Sequence, residues 1–111
     1  MNIHYDSVQL DSALDALANQ KRRGIIHELS LNPSTVGQLA RRQKLSLPAI
    51  HKHIRILEKA KLIIRKKAGR TNFVVIDTTT LGMVQSWITQ YHVSWGDPRA
   101  SLENYISGLK E

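Results

Sequence analysis

The side chains best suited to chemistry in this 111-residue chain are its lysines and arginines. Residues 21–70 hold 14 of the 16 cations against two carboxylates, Glu28 and Glu58, so this segment carries a formal charge of +12. The other residues carry two cations against seven carboxylates, a charge of −5. A basic middle between acidic ends predicts a segment that binds a polyanion such as nucleic acid. A basic surface that meets only solvent is the alternative, and a membrane surface fits less well.

The chain has few residues suited to metal binding, redox chemistry or catalysis. The chain has no cysteine, which excludes disulfides, thiolate metal sites and thiol redox sensing by this chain. His51 and His53 would point about 200° apart on a helix, so they cannot chelate one ion. No carboxylate pairs with a histidine or serine at a recognisable motif spacing, and no glycine-rich phosphate loop is present. We therefore expect no enzyme activity, no catalytic residue, no cofactor and no metal.

The length and the apolar runs limit the architecture. We expect a single domain over residues 1–111, because a chain of this size suits one core. No apolar run approaches the roughly 20 residues needed to cross a bilayer. Residues 1–6 lack the basic segment followed by an apolar one that marks a secretory signal. A cytoplasmic location is the expectation.

Two capped helices position the middle of the basic segment. Thr35 and Gln38 form a predicted capping box that begins a short helix. Ser46 is a second predicted N-cap, with Pro48 in the first turn, and this helix runs to about Lys59. Its faces separate at about 100° per residue. The inner face is apolar, with Ile50, His53, Ile54 and Leu57. The outer face holds Pro48, His51, Lys52, Arg55 and Lys59.

A basic hairpin follows the second helix. Residues 63–67 and 71–77 are rich in β-branched side chains, and Gly69 between them can supply a positive φ. The whole order predicts a mainly α fold with a small β-hairpin wing, a winged helix-turn-helix. Its second helix would enter the major groove of DNA while the wing adds phosphate contacts. We expect the DNA-binding residues to be Thr35, Ser46, Pro48, His51, Lys52, Arg55, Lys59, Lys66, Lys67 and Arg70.

The two ends carry more apolar residues than one small core needs. Apolar residues recur at helical spacing over residues 7–18, 80–95 and 99–110, and residues 96–98 would separate the last two helices. We expect a homodimer held by residues of about 8–18 and 81–109, because palindromic operators need a twofold protein. The expected interface residues are Leu10, Leu14, Leu17, Trp87, Tyr91, Trp95, Leu102 and Leu109. A ligand-binding role for the stripe of Trp87, Tyr91 and Trp95 is the alternative.

Four motifs resemble those of a known family. Residues 17–26 read LANQKRRGII, similar to LADPTRRRIL, and residues 35–40 read TVGQLA, similar to SVGELA. Residues 47–57 read LPAIHKHIRIL, similar to QPAVSRHLKVL, and residues 67–73 read KAGRTNF, similar to EGRRVYY. Over roughly residues 10–95 the chain thus resembles the ArsR-type regulators. The resemblance implies a dimeric repressor that docks through its terminal helices and is released by an effector.

The chain departs from the family at several positions. Gln20 stands where the family has proline, and His51 stands where it has a small polar residue. Many ArsR-type proteins sense metals through cysteines, or through an Asp-x-His pair and a later His-x-x-His or His-x-x-Glu. Here only His92 lies in the corresponding region, so we expect zinc, nickel and arsenite to leave DNA binding unchanged. The tail over residues 95–109 resembles a subgroup without a recognised metal site.

The sequence therefore predicts a DNA-binding transcriptional regulator, a repressor that binds a palindromic operator in double-stranded DNA as a homodimer. Two other classes remain open. A winged helix can dock proteins without touching DNA, but such a module would show an apolar or acidic outer face on the second helix. An RNA-binding module would need aromatic residues for base stacking, and Phe73 is the only candidate in the hairpin.

Overall fold

The computed structural model describes residues 7–91 and 98–109. Within these residues the chain forms a mainly α fold with one hairpin, which confirms the predicted winged helix-turn-helix class. The elements are α1 (Ser7–Leu17), α2 (Gln20–Leu31), α3 (Val36–Gln43), α4 (Leu47–Lys59), β1 (Ile63–Ala68), β2 (Thr71–Ile76), α5 (Thr78–Thr89) and α6 (Pro98–Leu109). No helix of the described part of the chain is long and apolar enough to cross a membrane.

The predicted caps set where α3 and α4 begin. Thr35 Oγ1 accepts from the backbone N–H of Gln38 at 3.1 Å, and Gln38 Oε1 accepts from the backbone N–H of Thr35 at 2.9 Å. Ser46 Oγ accepts from the backbone N–H of Ala49 at 3.3 Å. These bonds satisfy amides that a helix leaves without partners at its start. Lys44 makes the turn between the helices in the left-handed region, with φ 56°.

The core holds the two helices of the helix-turn-helix against the rest of the domain. Ile50, Ile54 and Leu57 of α4 are fully buried, as the helical spacing predicted. They belong to one apolar cluster with residues of α1, α2, α3, the hairpin and α5. Burying one such side chain contributes about 1.5–3 kcal/mol. The inner face of α4 is therefore firmly held, and its outer face is left to solvent.

The wing is attached to the helix-turn-helix by backbone pairing. Strands β1 and β2 are antiparallel, in register from Ile63 opposite Ile76 to Ala68 opposite Thr71. Gly69 makes the turn with φ +63°. Ser34, buried ahead of α3, exchanges two backbone hydrogen bonds with Val74 of β2, at 3.2 and 2.7 Å. The segment before α3 thus pairs with the hairpin.

The C-terminal region differs from the predicted helix over residues 80–95. Helix α5 ends at Thr89, where the N–H of Gln90 bonds to the carbonyls of Ile88 and Ser86. Tyr91 follows the helix, yet its ring still packs edge-on against Trp87, with centroids 5.8 Å apart. The four-residue spacing of the aromatic residues therefore continues past the end of the helix, because the contact between the two rings does not require a helical backbone. Trp95 and His92 lie outside the described residues.

Candidate nucleic-acid interface

Helix α4, which we call the reading helix, has a strongly basic outer face. Lys52, Arg55 and Lys59 are exposed, Pro48 is exposed in the first turn, and the His51 ring is half-buried. Among residues 7–91 and 98–109, none of the three cations takes part in an ion pair. Long cationic side chains on a helix that projects from its domain can reach base edges and phosphates in a major groove.

Sequence reasoning missed one exposed residue at the border of this surface. Leu47, the first residue of the reading helix, is 54% exposed. It lies about 40° around the helix from His51, one turn earlier, and His51 lies the same angle from Arg55. The three residues form one ridge on the helix surface. The helical spacing gave no signal for it, because Leu47 falls only about 20° from Ile54 and about 60° from Ile50 around the helix. Its exposure is a property of the folded chain at the first turn of the helix.

The cap residues at the start of α3 and of the reading helix lie beside this face. The hydroxyl oxygens of Thr35 and Ser46 act as acceptors in the caps, so their O–H groups can donate outward. Thr35 is half-buried and Ser46 is exposed. Helix N-termini with available donors are suited to the phosphate oxygens of a nucleic acid backbone.

The wing tip carries three exposed cations, Lys66, Lys67 and Arg70. Lys66 lies opposite Phe73, and Lys67 lies opposite Asn72. Successive side chains of a strand leave opposite faces of the sheet. A duplex that lies against one face of the hairpin would therefore meet only one of the two lysines directly, whereas the turn residue Arg70 is not restricted in this way.

The first cations of the basic segment are bound within the fold. Arg22 Nε donates to the carbonyl of Ala16 at 2.7 Å, and Arg23 Nη1 donates to the carbonyl of Leu17 at 2.9 Å, both in the last turn of α1. Lys21 Nζ donates to the carbonyl of the last residue of α3 at 3.1 Å. Cations are favourable at helix C-termini, where carbonyls lack partners. These three side chains therefore join helices.

Two more cations are neutralised by carboxylates. Arg42 pairs with Glu28 at 3.4 Å, and Arg65 pairs with Glu58 at 3.1 Å. Exposed pairs of this kind contribute little to stability. They affect the charge pattern instead, because both carboxylates of the basic segment pair with cations that lie outside the outer face of the reading helix. The unpaired positive charge is concentrated on the reading helix and at the wing tip.

His53 connects α2 to the reading helix. Its ring is half-buried on the inner side, and its Nδ1 lies 3.4 Å from Nη1 of Arg22, which can donate to it. Burial, then the charges of Arg22, Lys52 and Lys21, lower the pKa of His53 below 6.5. A neutral imidazole that accepts from Arg22 suits this position, as expected for a histidine that packs within the fold.

The apolar residues expected at a dimer interface fall into two groups. Leu10 is buried, and Leu14, Leu17 and Trp87 are partly buried against the core of the same chain. The second group is exposed by 51–67%: Tyr91, Leu102 and Leu109. Helix α6 has no buried residue, and its exposed apolar stripe also includes Tyr105 and Ile106. Trp95 lies outside the described residues.

Comparison with known proteins points to one group. Residues 17–65 match the family model of a helix-turn-helix domain. The HTH-type transcriptional regulator Rv2034 of Mycobacterium tuberculosis is 33% identical over 81 residues, which cover 73% of this chain and 76% of that protein. The crystal structure of the ArsR family transcriptional regulator RHA00566 is 31% identical, with a TM-score of 0.73, and the match covers 84% of this chain and 96% of that one.

A more distant structure shares the fold alone. The homodimeric winged helix-turn-helix DNA-binding domain of Mb0332 from Mycobacterium bovis, a possible ArsR-family regulator, is 17% identical. It matches with a TM-score of 0.63, over 87% of this chain and 97% of that domain.

Proposed function

Because this chain belongs to the ArsR-type family of winged helix-turn-helix transcriptional regulators, we propose that it is a cytoplasmic repressor that binds a palindromic operator as a homodimer. The observation that carries the proposal is the division of the reading helix. Its inner face is fully buried at Ile50, Ile54 and Leu57, and its outer face presents exposed cations. This arrangement fixes the helix to the domain while leaving its cations available for a duplex.

The outer face of the reading helix recognises bases in this proposal. Arg55 offers a planar pair of donors that matches the two acceptors of guanine in the major groove. Lys52 and His51 add single contacts beside it. The caps Thr35 and Ser46, together with Pro48 and Lys59, lie against the sugar-phosphate backbone at the edges of the groove. Such backbone contacts fix the register of a protein on DNA.

The wing supplies phosphate contacts that do not depend on sequence. Lys66, Lys67 and Arg70 lie at the exposed tip of the hairpin, and Arg70 with one of the two lysines can face the same duplex. These long side chains can reach phosphates in several positions. They extend from the tip of a hairpin, away from the core, and so are poorly suited to the precise geometry that a base contact needs. Each phosphate neutralised would raise the dependence of affinity on salt by about one ion.

Dimerisation in this proposal uses the apolar residues that the single chain leaves exposed. Helix α6 has 12 residues, a length at which an isolated helix is only marginally stable in water. Its exposed stripe of Leu102, Tyr105, Ile106 and Leu109 needs a partner surface. A second copy supplies it, and the homodimer formed by the Mycobacterium bovis relative supports this choice. The two reading helices would then enter half-sites about 34 Å apart.

The competing classes are less well supported. A protein-docking winged helix would not need three exposed cations on the outer face of α4. For RNA, Phe73 is the one aromatic side chain of the hairpin, and it is half-buried, opposite Lys66. A single stacking residue is a weak platform for bases.

A competition experiment tests the DNA proposal. The full chain is incubated with a labelled duplex from its own promoter region, with random duplex and with RNA as competitors, in a gel-shift assay. We expect the complex with the labelled promoter duplex to persist in an excess of either competitor. Equal displacement by random duplex, or stronger displacement by RNA, would contradict operator recognition.

Sedimentation tests the dimer. We expect the unaltered chain to sediment as a dimer at micromolar concentration and L102E to sediment as a monomer. L31E is the matched control, because Leu31 is a similarly exposed leucine at the end of α2. A monomeric unaltered chain would overturn the dimer. If L102E and L109E both remain dimeric, the interface does not lie on the exposed stripe of α6.

A further inference from the structure

The ridge of the reading helix begins with an apolar side chain. Leu47 is the first helical residue and is 54% exposed, while the next two members of the ridge, His51 and Arg55, are polar. Exposed leucines are ordinary on protein surfaces and by themselves need no explanation. This one is distinguished by its place, because the N-terminal residues of a recognition helix are the ones that contact base edges.

The major groove offers very little for a leucine to contact. Its base edges present amino donors, carbonyl and ring-nitrogen acceptors, and one apolar group, the C5-methyl of thymine. A leucine that approached cytosine or a purine would remove water from a polar edge and return no hydrogen bond. Against thymine it would instead bury a methyl group together with its own exposed surface.

Resting on the DNA-binding function proposed above, we propose that Leu47 recognises the methyl group of one thymine in each operator half-site. Arg55 lies two helical turns further along the ridge, about 12 Å away at 1.5 Å per residue. The two side chains therefore contact different base pairs. The thymine requirement is separate from the base that Arg55 selects, and each can be removed without the other.

The experiment removes only the methyl group. Duplexes that bind the full chain are selected from a randomised pool, and the best one is resynthesised with deoxyuridine at each thymine in turn. We expect one thymine per half-site at which deoxyuridine weakens binding about fourfold, the factor for one buried methyl group. In L47Q the same duplexes should bind equally well with thymine or deoxyuridine.

Leu31 provides the matched control, since it is 65% exposed but lies on α2. L31Q should keep the full sensitivity to deoxyuridine. Failure to select any duplex would overturn the DNA-binding function itself. A selected duplex that tolerates deoxyuridine everywhere would overturn the role of Leu47 alone. So would a sensitivity that persists in L47Q, since another side chain would then contact the methyl group. If Leu47 instead packs in the dimer, L47Q would shift the oligomeric state, which also overturns the inference.

Discussion

Two clusters of cations in this chain have the same residue types and different surroundings. Lys21, Arg22 and Arg23 at the start of α2 donate to backbone carbonyls at the ends of α1 and α3. Lys52, Arg55 and Lys59 on the reading helix are exposed and, within the described residues, lack an ion pair. The first cluster connects helices of one chain. The second is available to another molecule.

The comparison shows why formal charge overstates binding charge. The basic segment has a charge of +12, but five of its cations are held by carbonyls or carboxylates of the same chain. Removing a cation that donates to the carbonyls at a helix end should alter the stability of the fold. Removing an exposed one should alter the affinity for DNA. The four predictions that follow test this separation, beginning with the largest expected effect.

Replacement of Arg55 by alanine should affect DNA recognition most. We expect the affinity for a selected operator to fall by about 1–3 kcal/mol per half-site, about twice that for a dimer with equivalent half-sites, because alanine cannot bond to the base. Binding to random duplex should change much less. Fluorescence anisotropy with both duplexes measures the difference. Unchanged discrimination between them would show that Arg55 does not contact a base.

Replacement of Arg22 by alanine should instead destabilise the fold. We expect the free energy of unfolding to fall by about 1.5–3 kcal/mol, the usual range for hydrogen bonds to a charged group, because the carbonyls of Ala16 and Asp15 lose their donor. Urea denaturation measures it. Arg55→Ala is the reciprocal control and should unfold at the same urea concentration as the unaltered chain. An Arg22→Ala chain with unchanged stability and weakened operator binding would show that Arg22 acts in DNA binding and not in the fold.

Replacement of Arg70 by alanine should give a smaller, non-specific loss. Affinities for operator and random duplex should fall about equally, and the slope of log affinity against log salt should fall by about one for each phosphate that is no longer neutralised. Arg65→Ala is the matched control, because Glu58 already neutralises this wing arginine. It should change the slope less. Loss of discrimination in Arg70→Ala would move base recognition to the wing.

The smallest effect is a pH dependence at the border between the two clusters. The pKa of His53 is lowered in the folded chain by burial and by Arg22, Lys52 and Lys21, so the unfolded chain takes up the proton first as the pH falls. Stability should therefore decline as the pH is lowered through about 6.5 and below, and His53→Gln should reduce this decline. Urea midpoints between about pH 8 and pH 5 measure it. An identical decline in both proteins would exclude His53 as a contributor.

The parts of the fold that the sequence predicted well depend on short-range signals. The capping box of Thr35 and Gln38 joins residues three apart, and the buried face of the reading helix follows from its helical spacing. Gly69 at the wing turn is equally local, since a two-residue turn with positive φ favours glycine. Each of these elements depends on nearby residues, and a single sequence contains that information.

What the sequence could not supply depends on residues that meet only in the folded chain. The partners of Arg22 are carbonyls of the preceding helix and a histidine on the reading helix, and no spacing rule indicates them. The end of α5 at Thr89 was hidden because the aromatic spacing continues to Tyr91. The proposed roles of the individual DNA-contacting and dimer-contacting residues remain predictions, since they concern a duplex and a second chain.

The pairing of Ser34 with Val74 has a consequence for synthesis on the ribosome. The residues of α3 and the reading helix leave the exit tunnel before β2 does, since chains emerge from the N-terminus. Until Val74 arrives, Ser34 lacks its backbone partner and the core lacks a fully buried side chain. A nascent or prematurely terminated chain that ends before β2 therefore contains every residue of the reading helix without a completed scaffold beneath it. Incomplete translation products would be poor competitors for the operator, and proteases could remove them.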